Sequence, residues 1–534
     1  MAKRFANVFF ITLGIILSCV VVFALVLFLA PGLSVFGIKY IAKGTHIVSE
    51  STAISDKMTD RTFSGSIKLE VDDIPVYVTF SQRYVYEIEY YDNYNGLTNS
   101  KFDDPSIEYS KEPDGTAVIK ISSFKKFIYE NSNSTRYVKL QIPSSVVGGT
   151  RAGQTSLTIL SKTSNITFAD SANDNYDPYF RNLKIETNGK INAQTKVIAD
   201  NYSLKTINAI EIGEDENTSI NATNYTLEST GGKIVVNRDV AGDITATTKN
   251  ARIQVLSCKN LIADSGFGDV YSASKDKGMV VRGVANIKTT AGVVEVDSIL
   301  SETEKSIIET KTGNVTIKKA FDVDVTTTRG FVKVNSARKS NIKTSSGSVT
   351  LETSTESVNV TTKRGKVFLG GEGNVLYNPT ISSTFGKVNV GSASGTVKIE
   401  TIKADVNFVN GDASNIKINA GGNLTAENLL GAVNVEVAGN AEISYANFTQ
   451  KSTIVGTNAK SLITIRMYNN ESTTFSYNLE GNDVTLFEYN IDDPDNNYQI
   501  GKSTNLTSSA EMVGKPLLSA TNAGRLVVYY KKTA

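Results

Sequence analysis

Asp322 and Asp324 are the residues whose spacing best suits catalysis. Two positions apart on an extended strand, they project from one face, as the paired carboxylates of a glycoside hydrolase do. Asp264, Asp269, Asp405 and Asp412 lie in the same stretch of chain. The competing reading is structural. Val323 and Val325 alternate with the two aspartates, so the acids form the solvated face of a strand whose apolar side chains point inward. That reading is preferred.

Other chemistries are weaker still. Asp170, Asp174 and Asp177, and Asp492, Asp493 and Asp495, supply oxygens of the kind calcium takes, but neither run has the twelve-residue EF-hand spacing; they read as solvated turns. Tyr84, Tyr86, Tyr90, Tyr91 and Tyr94 would make a sugar-stacking platform. Tyr84, Tyr86, Ile88 and Tyr90 alternate on one face, however, which is how core residues fall. His46 is the only histidine, which excludes histidine triads and multi-histidine zinc sites. Cys19 and Cys258 are the only cysteines, so no disulfide framework exists. Triplets such as Asn224-Tyr225-Thr226 and Asn447-Phe448-Thr449 arise by chance in an Asn- and Thr-rich chain. No P-loop, dinucleotide fingerprint or nucleophile elbow occurs in a suitable context. No catalytic, cofactor-binding or metal-binding residue is therefore assigned, no cofactor is expected, and the chain is read as not an enzyme.

The elements that carry these residues are strands. The 534 residues hold 55 Lys+Arg against 54 Asp+Glu, a net charge of +1 that excludes a global field for nucleic acid. Tyr, Phe and β-branched residues abound, with 23 Tyr and 22 Phe, and this composition suits strands. One segment is different. From Phe5 to Ile38 there is no charged residue, and Val8–Ala30 is long enough to span a bilayer, which takes roughly 20 apolar residues. Lys3 and Arg4 precede it, so the N-terminus is expected in the cytoplasm and the bulk outside. A signal-peptide core is shorter, about 7–15 residues, and Pro31 is a poor cleavage context. Ile16-Leu17-Ser18-Cys19 has the look of a lipobox, but the residues after Cys19 remain strongly apolar. A retained anchor is preferred.

A repeat dominates residues 181–450: apolar-x-Thr/Ser-x-x-Gly-x-apolar-x-apolar. Ile287, Thr289, Gly292, Val294 and Val296 form one copy; Ile342, Thr344, Gly347, Val349 and Leu351 form another. The glycines at 292, 313, 330, 347, 365 and 386 are 21, 17, 17, 18 and 21 apart. Apolar residues recur with period two on both sides of each glycine, so both arms are strands with one inward face. The glycine is expected at a turn with positive φ, and the Thr/Ser hydroxyls are expected to stack into a ladder. Two short strands cannot bury an apolar face alone, whereas stacked copies can. Ordinary hairpins would favour Asn-Gly or Asp-Gly turns; here the turn residues vary while the offsets hold, which points to a β-solenoid.

The flanks are also strand-rich. Residues 60–180 read as a β-sandwich-like neck or N-terminal cap and 451–534 as a C-terminal β cap. Residues 1–7 read as a cytoplasmic N-terminus, 8–30 as the transmembrane helix and 31–59 as a juxtamembrane linker.

The T-x-x-G-x-V-x-V coils, with the strand YVKLQIPSSV followed by SLTILSKTSNITF, resemble the bacterial putative-adhesin family of unknown function, over about residues 130–440. The resemblance implies a β-solenoid, a surface location and an adhesive or structural role, with no catalytic residue to carry over. The expectation is an all-β protein with coils of about 17–21 residues and one N-terminal membrane helix. It would be single-pass in the plasma membrane, with the lipid bilayer as one partner, surface glycans or other proteins as others, and no nucleic acid. The alternatives are a self-assembling surface scaffold and a carbohydrate-active β-helix enzyme.

Overall fold

Period-two alternation of apolar residues becomes parallel strands here because each coil lies in register on the one before it. The computed structural model describes residues 2–30, 33–42, 44, 47–57, 65–81, 85–99, 106–122, 127–131, 134–143, 154–168, 178–193, 197–213, 219–220, 224–371, 373–409, 411–467, 475–489, 497–508 and 515–530. The chain divides into two compact units, Met1–Thr247 and Thr248–Ala534.

The first unit opens with the helix Ala2–Leu29. Within it Ala6–Leu29 is 24 residues long, with mean hydropathy 3.0, and suits either a membrane span or a signal sequence by length and composition. Apolar side chains such as Val8, Phe10, Leu17, Val22 and Phe28 are exposed along it, whereas a helix packed on a soluble core would show one buried stripe. Near its C-terminal end it touches protein: Leu27 is buried, and the Phe28 and Tyr40 rings lie 4.7 Å apart.

Strands also occur in the stretch read as a linker. Ile47–Ala53 pairs antiparallel with Glu87–Asn93, which pairs antiparallel with Thr135–Pro143. Its sequence, IVSESTA, is too polar to announce a strand, because it is an edge with no fully buried position. Thr135–Pro143 then takes Val76–Ser81 in parallel, and that strand takes Ile166–Phe168. A second series runs from Ile107–Lys111, antiparallel to Ala117–Ile121, to Ile67–Val71, Ser156–Ser161, Tyr179–Glu186, Ile198–Thr206 and Asn224–Ser229 in parallel. The strands of the stretch read as a sandwich-like cap thus add in register to the strands that follow.

In the second unit the stacking is nearly uniform. Along one face Ile253, Val270, Val294, Val315, Val332, Val349, Val367, Val388, Val406 and Leu424 are paired one above the next, and every one is buried. Each such side chain contributes roughly 1.5–3 kcal/mol of burial. A second column runs through Ala263, Ile287, Ile308, Val325, Ile342, Val360, Ile381, Ile399 and Ile418.

In the shortest coils the two arms fuse into single strands, Val315–Thr327, Val332–Thr344 and Val349–Thr362. Their inward phase slips where two successive residues face out, at Lys318 and Lys319 and again at Phe321 and Asp322. The strand must bend there to keep its apolar face inside, and the small Ala320, Ala337 and Ser354 stack at that bend. The C-terminal end changes pattern: Leu517–Tyr530 lies on both Ser452–Gly456 and Leu462–Met467, Ser476–Glu488 covers it, and Tyr498–Thr507 closes the edge antiparallel.

The corners between the two faces correct one expectation. None of Gly292, Gly313, Gly330, Gly347, Gly365 and Gly386 has positive φ. They are glycines because a Cβ on each would overlap the backbone of the coil before: Gly347 would strike the Gly330 carbonyl oxygen, and Gly330 that of Gly313. The Thr/Ser ladder itself is present, with Thr327, Thr344, Thr362 and Ser383 paired one above the next, and the hydroxyls serve their own corners. Thr289, Thr310, Thr327, Thr344 and Thr362 each accept the N–H of the glycine three residues on, at 2.9–3.1 Å. All five are buried, so the bond satisfies a donor that water cannot reach.

Candidate functional site

Asp322 and Asp324 lie on the outer side of Val315–Thr327, with Val323 and Val325 buried behind them. In register, Asp322 is opposite Lys339 and Asp324 opposite Asn341 in the next coil. Asn341 in turn pairs with Asn359. With Lys305 these residues line a groove of 310 Å³.

Both carboxylates are engaged. Asp322 lies 3.2 Å from the Arg338 guanidinium, and Asp324 lies 2.8 Å from Lys305 Nζ. That contact holds the exposed Lys305 ammonium above the usual lysine range. Arg338 also donates to the Glu302 carbonyl at 2.9 Å and lies over the Phe321 ring at 5.4 Å. Glu356 adds a third acid, 2.6 Å from Lys339 and 3.7 Å from Arg338. The arrangement is a ladder of alternating charge across coils, and exposed pairs of this kind are worth at most about 1 kcal/mol each.

The remaining acids do not converge. Asp269 Oδ1 accepts the Val293 N–H at 2.7 Å, and Asp405 Oδ1 accepts the Asn423 N–H at 2.8 Å. Asn423 and Asn440 repeat the bond to the coils that follow them, at 2.9 Å each. These four residues are staples between successive corners. Asp264 faces outward opposite Lys288, and Asp412 is exposed opposite Ser394. His46, Tyr84, Asp170, Asp174, Asp177, Asp492, Asp493 and Asp495 lie outside the described residues. Among the described residues no group of three or more His, Cys, Asp or Glu is placed to hold a metal ion. Cys258 is buried and Cys19 is exposed on the helix.

A larger groove of 690 Å³ is lined by Arg252, Tyr271, Asp276, Lys277, Asp297 and Lys318, among others. Asp297 contacts Lys318 Nζ at 2.6 Å, and that hydrogen bond holds its carboxyl below the usual range.

The tyrosines separate into two groups. Tyr86, Tyr90 and Tyr94 are buried. Tyr86 donates to the Gly65 carbonyl at 3.1 Å, and Tyr94 Oη lies 2.9 Å from the Tyr129 carbonyl; burial raises the Tyr94 phenol well above its ordinary range. Tyr91 points the other way and stacks on Tyr137 at 5.2 Å, with Tyr77 edge-on to Tyr137 at 5.9 Å. This outward cluster draws one ring from each of three strands. Sequence reasoning named only Tyr91, because register alone brings the other two beside it.

A further feature went unseen in the sequence. Arg238 is buried, 2% exposed, beside Tyr202 and Tyr225, whose rings stack at 4.5 Å and 6°. It donates to the Val197 carbonyl at 3.1 Å, and Tyr202 Oη bonds the same oxygen. Burial drives the Tyr202 phenol far up.

No family model matches the sequence, and no curated protein matches it. A solved structure that does match is a crystal structure described as a putative cell adhesion protein from Clostridium sporogenes ATCC 15579. The two chains are 9% identical, and the match covers 47% of this chain and 98% of that one with a TM-score of 0.22.

Proposed function

We propose that the chain is a membrane-anchored cell-surface protein with a structural or adhesive role and no catalytic one. It presents stacked β coils outside the membrane on a single helix, with the N-terminus in the cytoplasm. The observation that carries this reading is the helix Ala6–Leu29, at 24 residues and mean hydropathy 3.0 longer than a signal-peptide core. Lys3 and Arg4 on its N-terminal side give the orientation. The engagement of Asp322 and Asp324 by Arg338 and Lys305 supports the non-catalytic part. Against self-assembly by end-to-end stacking stand the antiparallel strands Ile107–Lys111 in the first unit and Tyr498–Thr507 in the second, because a strand of opposite sense interrupts parallel addition.

Protease added to intact cells, or to spheroplasts where an outer envelope intervenes, should digest the β-rich part while cytoplasmic markers survive. Full protection with the membrane sealed would overturn the orientation. Polysaccharide turnover that disappears in Asp322→Asn or Asp324→Asn would overturn the non-catalytic reading.

A further inference from the structure

Four successive corners of the second unit form a basic ridge that is dispersed in the sequence. The corner segments are residues 326–331, 343–348, 361–366 and 382–387. They carry Arg329, Lys343, Lys363, Arg364, Lys366 and Lys387, and no Asp or Glu. Register holds these segments one above another. Thr327, Thr344, Thr362 and Ser383 are paired on one side of the corner, and Val332, Val349, Val367 and Val388 on the other. Strands in a sheet lie about 4.8 Å apart, so the four corners rise through roughly 14 Å.

All six cations are exposed, and among the described residues none is in an ion pair. Glu352, on the adjoining face, is already held by Lys333 at 3.6 Å. The corners on either side, residues 309–314 and 400–405, mix signs through Glu309, Lys311, Glu400, Lys403 and Asp405, so the ridge has defined ends. With a net charge of +1 over the whole chain, the ridge is a local concentration of charge and not a share of a general excess. Two large rings are exposed among the cations: Phe331 at 43% and Phe385 at 49%.

We propose that this ridge binds a strand of anionic polysaccharide. Cations on successive corners would meet carboxylates, sulfates or phosphates repeated along the polymer, and Phe331 and Phe385 would take the apolar faces of its sugar rings. The cations stand exposed at corners between two strand faces, whereas proteins that bind single-stranded nucleic acid track its backbone in a groove. A surface polymer also fits a protein displayed outside the membrane; to that extent the inference rests on the function proposed above.

The test uses the full chain in detergent micelles, with labelled polygalacturonate as probe and dextran and poly-dT as comparisons. Polygalacturonate should bind, dextran should not, and binding should weaken steeply between about 50 and about 200 mM salt, as polyion contacts do. The pair Lys363→Glu and Arg364→Glu should weaken binding about tenfold or more, by adding repulsion to lost attraction. Lys460→Glu, at a turn away from the ridge, should leave it unchanged. Unaltered thermal melts would show that the variants fold. Equal binding by the ridge variant and the parent would overturn the proposal, as would tighter binding of poly-dT than of polygalacturonate. Failure here with the protein accessible to protease on cells would remove the ligand and leave the surface location standing.

Discussion

Corner glycines from Gly292 to Gly386 in the second unit stack on one another, whereas those in the first stack on ordinary residues. Gly313, Gly330, Gly347, Gly365 and Gly386 each face the carbonyl of the preceding corner glycine. In the first unit Gly189 faces the backbone of Ser164 and Asn165, and Gly232 that of Asn208 and Ala209. The interiors differ in the same sense. Columns of Val, Ile, Leu and Ala fill the coils from Val294 to Val390, while the first unit buries Phe180, Tyr202, Tyr225 and Arg238, and large rings return in the second unit only beyond that stretch, at Phe408, Tyr445 and Phe448. In both units the glycine is required by backbone approach and not by an unusual dihedral angle. What differs is redundancy: a uniform column spreads one requirement over many equivalent coils, and a heterogeneous interior gives each coil its own partners.

The largest expected effect is at the glycine column. In Gly347→Val the new Cβ meets backbone, which cannot rotate away, so coils must part at a cost of roughly 3–5 kcal/mol. Hydrogen exchange should show protection lost near residues 340–370 and retained near 230, since coils touch mainly their neighbours. Gly373 is the contrast: it has φ +79° and open space where a Cβ would go, so Gly373→Ala should cost only about 1 kcal/mol. If Gly347→Ala costs no more than Gly373→Ala, stacking is not the reason for the column.

Next comes the heterogeneous interior. Arg238→Ala should cost about 3 kcal/mol, through a cavity and a lost donor to the Val197 carbonyl. Arg238→Met, which keeps most of the volume, should cost less. Chemical denaturation would rank the two, and equal losses would show that packing contributes little at this site.

A smaller change is expected at the corner hydroxyls. Thr344→Val strands the buried Gly347 N–H and should cost about 1–2 kcal/mol, while Thr344→Ser keeps the acceptor and should be recognisably milder. Identical melting temperatures for the two variants would break this account.

The smallest effect concerns Glu211 in the first unit. Burial alone would raise its pKa, but Lys190 at 2.5 Å and Lys233 at 2.7 Å together hold it below the usual carboxylate value. A depressed folded-state pKa stabilises above the unfolded value and loses that contribution as pH falls through the folded one. The stability difference between the parent and Glu211→Gln should therefore be present at neutral pH and shrink below about pH 4, at less than about 1 kcal/mol throughout. A difference that grows on acidification would reverse the sign.

The alternation of apolar residues and the constant offset from Thr to Gly are local properties, so strands, inward residues and corner positions were legible from the sequence. The same alternation correctly placed Val323 and Val325 inside, with Asp322 and Asp324 on the solvent side. The reason for each corner glycine was not legible, because its constraint is a backbone group 17–25 residues earlier in the chain. Nor were the strand Ile47–Ala53, whose lack of buried positions hides its period, the buried Arg238, the Tyr77–Tyr91–Tyr137 cluster or the basic ridge. Each of these depends on which residue of one strand or coil lies beside which residue of another. Hydrogen-bond register across strands sets that adjacency, and no pattern within a single coil contains it.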